Sequence, residues 1–486
     1  MGEDTVARAA SDSTTGAWGD QGDGTYVNPI LPGDYSDLDA IRVGSDYYAI
    51  ASTFQFSPGM IVLHSMDLVN WFILGHVVTD LTQIGPTLNW DAMDRYGRGI
   101  WAPAIRYHDA RYWVYFCTPD EGLFMSTATC PAGPWAPLQQ LFAQPGWDDC
   151  CPFWDDDGQG YLVITHFADG YKIHLFTLTT DGAALVLGSD LVIHQSAGSE
   201  ASKLFKYNGY YYHFFSEVHD EGRVPMMARA KNIYGPYDVQ QLMHVNPAVD
   251  KEPNQGGLIE LPSGAWYFLT HQGTGDWEGR AACLLPVTWA DGWPIIGAIG
   301  ADGIGNMVWS AKKPITGFPI TAPQASDTFD SPILGPQWEW NYQPRADTWS
   351  LIERPGHLRL HAFKPLRRGD FRSAGNTLSQ RSMRTSTSVV TIIMDIAEMR
   401  DGQQAGLCHF SSAYSLDGTH FTDVGAIYQL QWGAYRGDRF GIYCFNEKHE
   451  RGFVDVDWIT YDFGRRSESE AELNNLRYPY IESDQA

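Results

Sequence analysis

No stretch of this 486-residue sequence approaches the roughly 20 consecutive apolar residues of a membrane span. Helical periodicity is nearly absent from end to end, which argues against a fold built on helical layers. Positive charge is scarce: 33 Lys and Arg face 58 Asp and Glu, a formal net charge of -25 that repels nucleic acid and anionic membranes alike. A neutral or cationic partner is expected. The opening "MGEDTVARAASDSTTGAWGDQGDGTY" lacks the basic start and apolar run of a secretory signal. As written the chain reads as cytoplasmic, with secretion of an unprocessed precursor left open. The seven cysteines are odd in number, scattered and without metal-type CxxC spacing, so they read as buried thiols, and the adjacent Cys150 and Cys151 as packing.

What the sequence does have is aromatic side chains, 14% of residues with 18 Trp and 25 Tyr, which suits large β cores or a surface that stacks on sugar rings. Its length exceeds the roughly 250 to 300 residues at which one core stops growing, so two domains are expected. One pattern recurs five times: a short apolar strand, a polar turn and an aromatic-rich strand, as in "DAIRVGSDYYAIAST", "PAIRYHDARYWVYFCT", "CPFWDDDGQGYLVITHF", "SKLFKYNGYYYHFFSE" and "GLIELPSGAWYFLTHQ". The first aromatic after each turn is Tyr47, Tyr112, Tyr161, Tyr210 and Trp266, at intervals of 65, 49, 49 and 56 residues. That spacing suits four-stranded blades with loop insertions, so residues 25–312 read as a five-bladed β-propeller in an all-β chain.

The Pro- and Thr-rich "KKPITGFPITAPQAS" breaks the repeat, which makes 313–326 the linker. Alternating segments after it, among them "TSVVTIIMDIAEM" and "GFVDVDWITYDF", give a C-terminal β-sandwich over 327–464. The sandwich looks shortened, because "AGLCHFSSAYSLDGTHFTDVG" runs from one expected strand to a much later one. The N-terminal extension 1–24 and the tail 465–486 show no periodic core positions and are expected to be mobile or packed late.

The residue before each innermost strand of a propeller emerges at one mouth of the central channel. Counting back 10 to 12 residues from the five aromatics reaches Asp37, Ala102 beside Trp101, Asp149, Glu200 and Asn254. Three of these five positions are acidic. Carboxyl groups that converge repel one another, so some must be held by partners and others have their pKa raised, as acid and base work near neutral pH requires. Cleavage of a glycosidic bond needs one carboxyl protonated to feed the leaving oxygen and another ionised to activate water or attack carbon. For any single acidic residue at a strand edge, a turn or cap is the plainer explanation. Three in register weigh against it.

From about Gly22 to Trp293 the chain resembles glycoside hydrolase family 43, the five-bladed propellers that act as β-xylosidases, α-L-arabinofuranosidases and arabinanases. "NPILPGDYSDLDAIRVGSDYY" resembles the family's opening segment, which implies that Asp37 is the general base. "GWDDCCPFWDDDGQGYL" implies that Asp149, rather than Asp148, is the carboxylate that tunes the acid, and "SEASKLFKYNGYYYHFF" puts the general acid on Glu200. "EGRAACLLPVTWADGWP" implies a substrate-binding Arg280; "STFQFSPGM" and "GIWAPAI" imply Phe54 and Trp101 as walls for the terminal sugar. The sequence departs from the family at Leu38, where a proline is frequent, and at Asn254, where a histidine often stands near an axial calcium or water. No cofactor or metal is expected to be required, and any calcium should be structural. On the residues alone, Arg280 could bridge surface acids, Trp101 and Phe54 could be core, and His166 and His271 read as satisfied core histidines. The resemblance implies an exo-acting, inverting hydrolase that removes terminal α-L-arabinofuranose or β-D-xylose from arabinoxylan- or arabinan-derived saccharides. The alternative from another class is a non-catalytic carbohydrate-binding propeller, which has no need of three acids in register. Fructan and sialic acid hydrolases fit less well, because neither a "WMNDPNG" opening nor an arginine triad is present.

Overall fold

The structure, a computed structural model, describes residues 18–245, 253–273, 279–383, 385, 388–410 and 436–463. The tail 465–486, residues 1–17 of the N-terminal extension and most of the segment read as a shortened stretch of sandwich therefore lie outside the described residues.

Five antiparallel four-stranded sheets form the propeller. Their innermost strands are Asp39–Val43, Trp101–His108, Trp147–Trp154, Glu200–Tyr207 and Asn254–Glu260. Each innermost strand neighbours the next, and the fifth neighbours the first, so the ring closes. The repeated aromatics Tyr47, Tyr112, Tyr161, Tyr210 and Trp266 all stand at the start of the second strand of their blade. No single core fills the propeller; apolar faces of adjacent blades pack on each other, as Ile50, Val62, Ile105 and Val114 do between the first two. Closure between blades five and one depends on the pair Gly256 and Gly257. A Cβ on Gly257 would stand 2.7 Å from the Ala40 carbonyl oxygen, and Gly256 holds a φ of +132° that side chains rarely adopt.

Of the N-terminal extension, residues 18–20 are packed, whereas residues 21–23 are exposed. Trp18 is buried against Phe463, Asp20 pairs with the buried Lys313, and Gly19–Asp20 joins Thr25–Val27 and Ser310–Lys312 in a small sheet that ties the propeller's two ends. These contacts reach across the chain, so local periodicity carries no trace of them.

The C-terminal sandwich has one sheet in the order Gln403–Phe410, Arg439–Asn446, Thr377–Arg381, Glu339–Asn341, and another in the order Trp349–Ser350, Leu358–His361, Phe453–Asp462, Val389–Asp395. The propeller segment Phe56–Ser57 adds itself as the edge strand of the first sheet, pairing with Trp340 and Asn341. Beneath that seam Glu339, Arg381 and Arg439 are all about 1% exposed. Glu339 takes a close ion pair from Arg439, a longer one of 3.5 Å from Arg381, and a 3.1 Å contact from His76 of blade one. Despite its burial, the two guanidinium groups hold the Glu339 carboxyl far below the usual carboxylate range. Arg381 also reaches the Ser52 carbonyl at 3.4 Å, so the sandwich braces the segment that leads into the channel mouth.

Removing one partner of a buried ion cluster strands the other charges away from water, at a cost of about 3 to 5 kcal/mol. Glu339→Gln should lose about that much unfolding free energy in a denaturant titration, and a loss under about 1 kcal/mol would show that the seam does not depend on this charge.

Candidate active site

At the mouth the innermost strands share one irregularity. Their pairing with the second strand slips between Trp101 and Ala104, Asp148 and Cys151, Glu200 and Lys203, and Asn254 and Gly257. In each slip the first extra residue is left-handed: Ala102 at φ 30°, Asp149 at 53°, Ala201 at 66° and Gln255 at 55°, matched in blade one by Asp37 at 59°. Each is a β-bulge, a device that re-aims side chains beside functional sites at a local conformational cost.

A bulge frees a backbone amide from the ladder, and a buried amide needs an acceptor. Side chains mostly of the neighbouring blade supply it. His271 Nδ1 accepts from the Asp37 amide at 2.8 Å, Ser52 Oγ from the Ala102 amide at 2.8 Å, and Asp149 Oδ2 from the Ala201 amide at 2.7 Å. Asn254 Oδ1 accepts from the Gln255 amide at 2.8 Å within blade five.

This register corrects one detail of the sequence reading. Asp37 and Asp149 occupy the same bulge position as Ala102, Ala201 and Gln255, whereas Glu200 and Asn254, both expected at that position, stand one residue earlier, level with Trp101 and Asp148. Three successive tyrosines in "NGYYYHFF" hide which face of the strand points inward, so Tyr210 was a landmark one residue out of step. Two tiers result. Trp101, Asp148 and Glu200 are partly exposed at the mouth, and the bulge residues are buried beneath.

Asp37 is buried, and Arg280 grips it with both nitrogens, Nη1 at 2.8 Å from Oδ1 and Nη2 at 3.0 Å from Oδ2. Ser52 Oγ donates to Oδ2 at 2.5 Å. A two-pronged guanidinium contact is among the stronger charge-assisted pairings and fixes the carboxylate plane. Glu200 has a looser cage: Asn254 Nδ2 donates at 2.9 Å and Arg223 lies at 3.2 Å. Burial, reinforced by the charges of Asp149 and Asp37, outweighs Arg223 and Asn254 and pushes the Glu200 carboxyl up to about 7. Burial also raises Asp149, against Lys203, the Ala201 amide and Gln255, whose Nε2 makes a short hydrogen bond to Oδ1. Asp148 is raised well above the carboxylate range by burial and by Asp149, Asp37 and Glu200, and its Oδ1 has no hydrogen-bond partner. These surroundings favour its neutral form.

Of the other residues singled out in the sequence, Trp101 is partly exposed at the mouth, its Nε1 donating to the Gly97 carbonyl at 3.1 Å, and its ring lies 6.4 Å from Phe167. Phe54 is buried, left-handed, and paired through its backbone with Ile100. His166 stacks on Trp147 with centroids 4.0 Å apart. His271 does more than fill the core. Burial and the nearby Arg280 keep it neutral, which leaves Nδ1 as the acceptor for the Asp37 amide. Sequence reasoning missed Ser52, Arg223, Gln255 and Lys203; only the "QGG" beside Asn254 and the "EASK" after the acid hinted at the last two. Among the described residues no group of three His, Cys, Asp or Glu side chains is arranged to hold a metal ion.

A closed ring of β-blades whose mouth holds one carboxylate locked on arginine and another poised near neutrality defines a glycoside hydrolase. The chain belongs to glycosyl hydrolases family 43: that family's model matches residues 26–294, and the model of the β-xylosidase C-terminal concanavalin A-like domain matches 326–416. It is 34% identical to a β-xylosidase of Formosa agariphila over 94% of each protein. A non-reducing-end α-L-arabinofuranosidase of Bacteroides ovatus is 30% identical over 69% of this chain and 65% of its own length. A family 43 protein from Bacillus licheniformis superposes with a TM-score of 0.78 at 25% identity, covering 90% of this chain and all of that one.

Because the Asp149 charge helps to raise Glu200, Asp149→Asn should let Glu200 ionise at lower pH. The alkaline limb of the activity profile should fall from near 7 toward the ordinary range of a glutamate. An unmoved limb would disprove this coupling.

Proposed function

We propose that this enzyme is an exo-acting, inverting glycosidase that removes a terminal pentose, α-L-arabinofuranose or β-D-xylose, from arabinoxylan- or arabinan-derived saccharides. The observation that carries the reading is the contrast between two carboxyl groups of one mouth: Asp37 gripped by Arg280, Glu200 pushed up to about 7. Near neutral pH Glu200 holds a proton and donates it to the departing glycosidic oxygen. Asp37, acceptor-only in its arginine clamp, draws a proton from a water aimed at the anomeric carbon from the opposite face of the sugar. Asp149 keeps Glu200 protonated until that oxygen arrives. Arg280 orients the base and contributes to binding the sugar, while Trp101 and Phe54 supply apolar ring contacts at the rim and wall. Both pentoses fit such a set of donors, and the names of the two relatives above, a β-xylosidase and a non-reducing-end α-L-arabinofuranosidase, support either. No observation favours the non-catalytic reading.

The chemical step uses two carboxyl groups and a tuning acid, so no metal is required, and any calcium is structural. Chelation with EDTA should leave turnover nearly intact; lost turnover that calcium restores would refute this. Glu200→Ala should cut hydrolysis of alkyl or oligosaccharide pentosides by roughly 100-fold or more, while sparing aryl pentosides whose leaving group needs no proton. Equal losses on both substrate types would remove the acid from Glu200, and rapid mid-chain cleavage of a polymer would remove the exo assignment.

A further inference from the structure

Lys203 lies on the innermost strand of blade four, three residues after Glu200, and is only 4% exposed. A lysine is almost never buried so deeply without a partner, because its ammonium loses its water shell. Its Nζ donates to Gln255 Oε1 at 2.8 Å. The same Gln255 amide turns its nitrogen to Asp149 Oδ1, and Asp149 Oδ2 accepts from the amide of Ala201, the residue after Glu200. Gln255 is itself about 1% exposed. Its two ends are thereby distinguished: the oxygen faces a cation and the nitrogen faces a carboxylate. A reversed amide would set its NH₂ against an ammonium and its oxygen against a carboxylate.

We propose that Lys203 is a positioning residue that acts through Gln255 to hold Asp149 in its charged form beside Glu200. The inference rests on the proposed role of Glu200 as proton donor and extends it by one residue that touches no substrate. The neighbouring charges leave Lys203 this task. Asp39, another acid of the innermost strands, is already paired with Arg106 at 2.6 Å, and its Oδ2 also accepts from the Ile105 amide. Around Asp149 the charged and polar groups are Lys203, Gln255, the Ala201 amide, Asp148 and Asp37 with its Arg280. Around Glu200 they are Arg223 of its own blade, Asp149 and Asp148 of blade three, Asn254 of blade five and Asp37. Among the described residues, Lys203 is the cation that favours the Asp149 anion through a hydrogen-bonded bridge. Without it, a buried Asp149 facing Asp37 takes up a proton more readily. Its charge on Glu200 is then lost, and Glu200 gives up its own proton at lower pH.

The test is the pH profile of kcat/KM on a pentoside with a poor leaving group, for Lys203→Met, Asp149→Asn and the double variant, with thermal melting as a check on folding. Lys203→Met should lower the alkaline limb by roughly half a pH unit or more, in the same direction as Asp149→Asn, and the double variant should move it no further than Asp149→Asn alone. Gln255→Met should reproduce the Lys203→Met shift, and it carries the test if Lys203→Met does not fold. Lys203→Arg should restore much of the wild-type limb. A limb that stays in place in both Lys203→Met and Gln255→Met while Asp149→Asn moves it, or additive shifts in the double variant, would overturn the relay and leave the catalytic assignment standing. If Asp149→Asn fails to move the limb, the role of Asp149 falls and the relay falls with it. Glu200→Ala, assayed on aryl and alkyl pentosides in parallel, reports separately on the proton donor.

Discussion

The site depends on what five bulges do to the backbone of a closed ring. Each innermost strand gives up a ladder hydrogen bond near the mouth and places a left-handed residue there, at Asp37, Ala102, Asp149, Ala201 and Gln255. The freed amides are buried and must find acceptors. Most find them one blade away, so that His271, Ser52 and Asp149 each secure the backbone of the following blade. Asp149, the carboxylate proposed to tune the acid, is thus also the cap that holds the strand of Glu200. Local strain of this kind is kept at functional sites where the surrounding fold over-determines it, and here the determination runs around the whole ring.

Chemical difference among the carboxyl groups follows from how each meets its cation. Arg280 grips Asp37 with two nitrogens, Arg223 touches Glu200 at one, and Lys203 reaches Asp149 only through Gln255. Asp148 has no cation paired with it among the described residues, and burial with its acidic neighbours pushes its carboxyl up. The overall excess of negative charge in the chain gives no hint of this ordering; burial raises these carboxyls, and Arg280, Arg223 and Lys203 oppose it to different degrees. The sandwich contributes at one remove, since its Arg381 holds the Ser52 carbonyl while Ser52 Oγ holds Asp37.

The repeat was legible because each second strand opens on an aromatic, and the acids were legible because they precede the first strands at nearly constant distance. The exact tier was not. In "NGYYYHFF" the aromatics occupy both faces, so counting from the first of them put Glu200 level with Asp149 when it stands one residue above. Partners such as His271 for Asp37, or Gln255 for Asp149, come from blades far apart in sequence, and nothing local marks them. The same holds for Phe56–Ser57, a two-residue segment of the propeller that completes a sheet of the other domain. Two-residue strands leave no periodicity to read.

The central claim is that Glu200 and Asp37 act as acid and base on a water, with no bond between enzyme and sugar. The most direct measurement is the anomeric configuration of the first-formed pentose, followed by proton NMR before mutarotation sets in. A β-D-xyloside should release α-D-xylose first. Release of β-D-xylose first would mean that Asp37 attacks carbon, and would contradict the account.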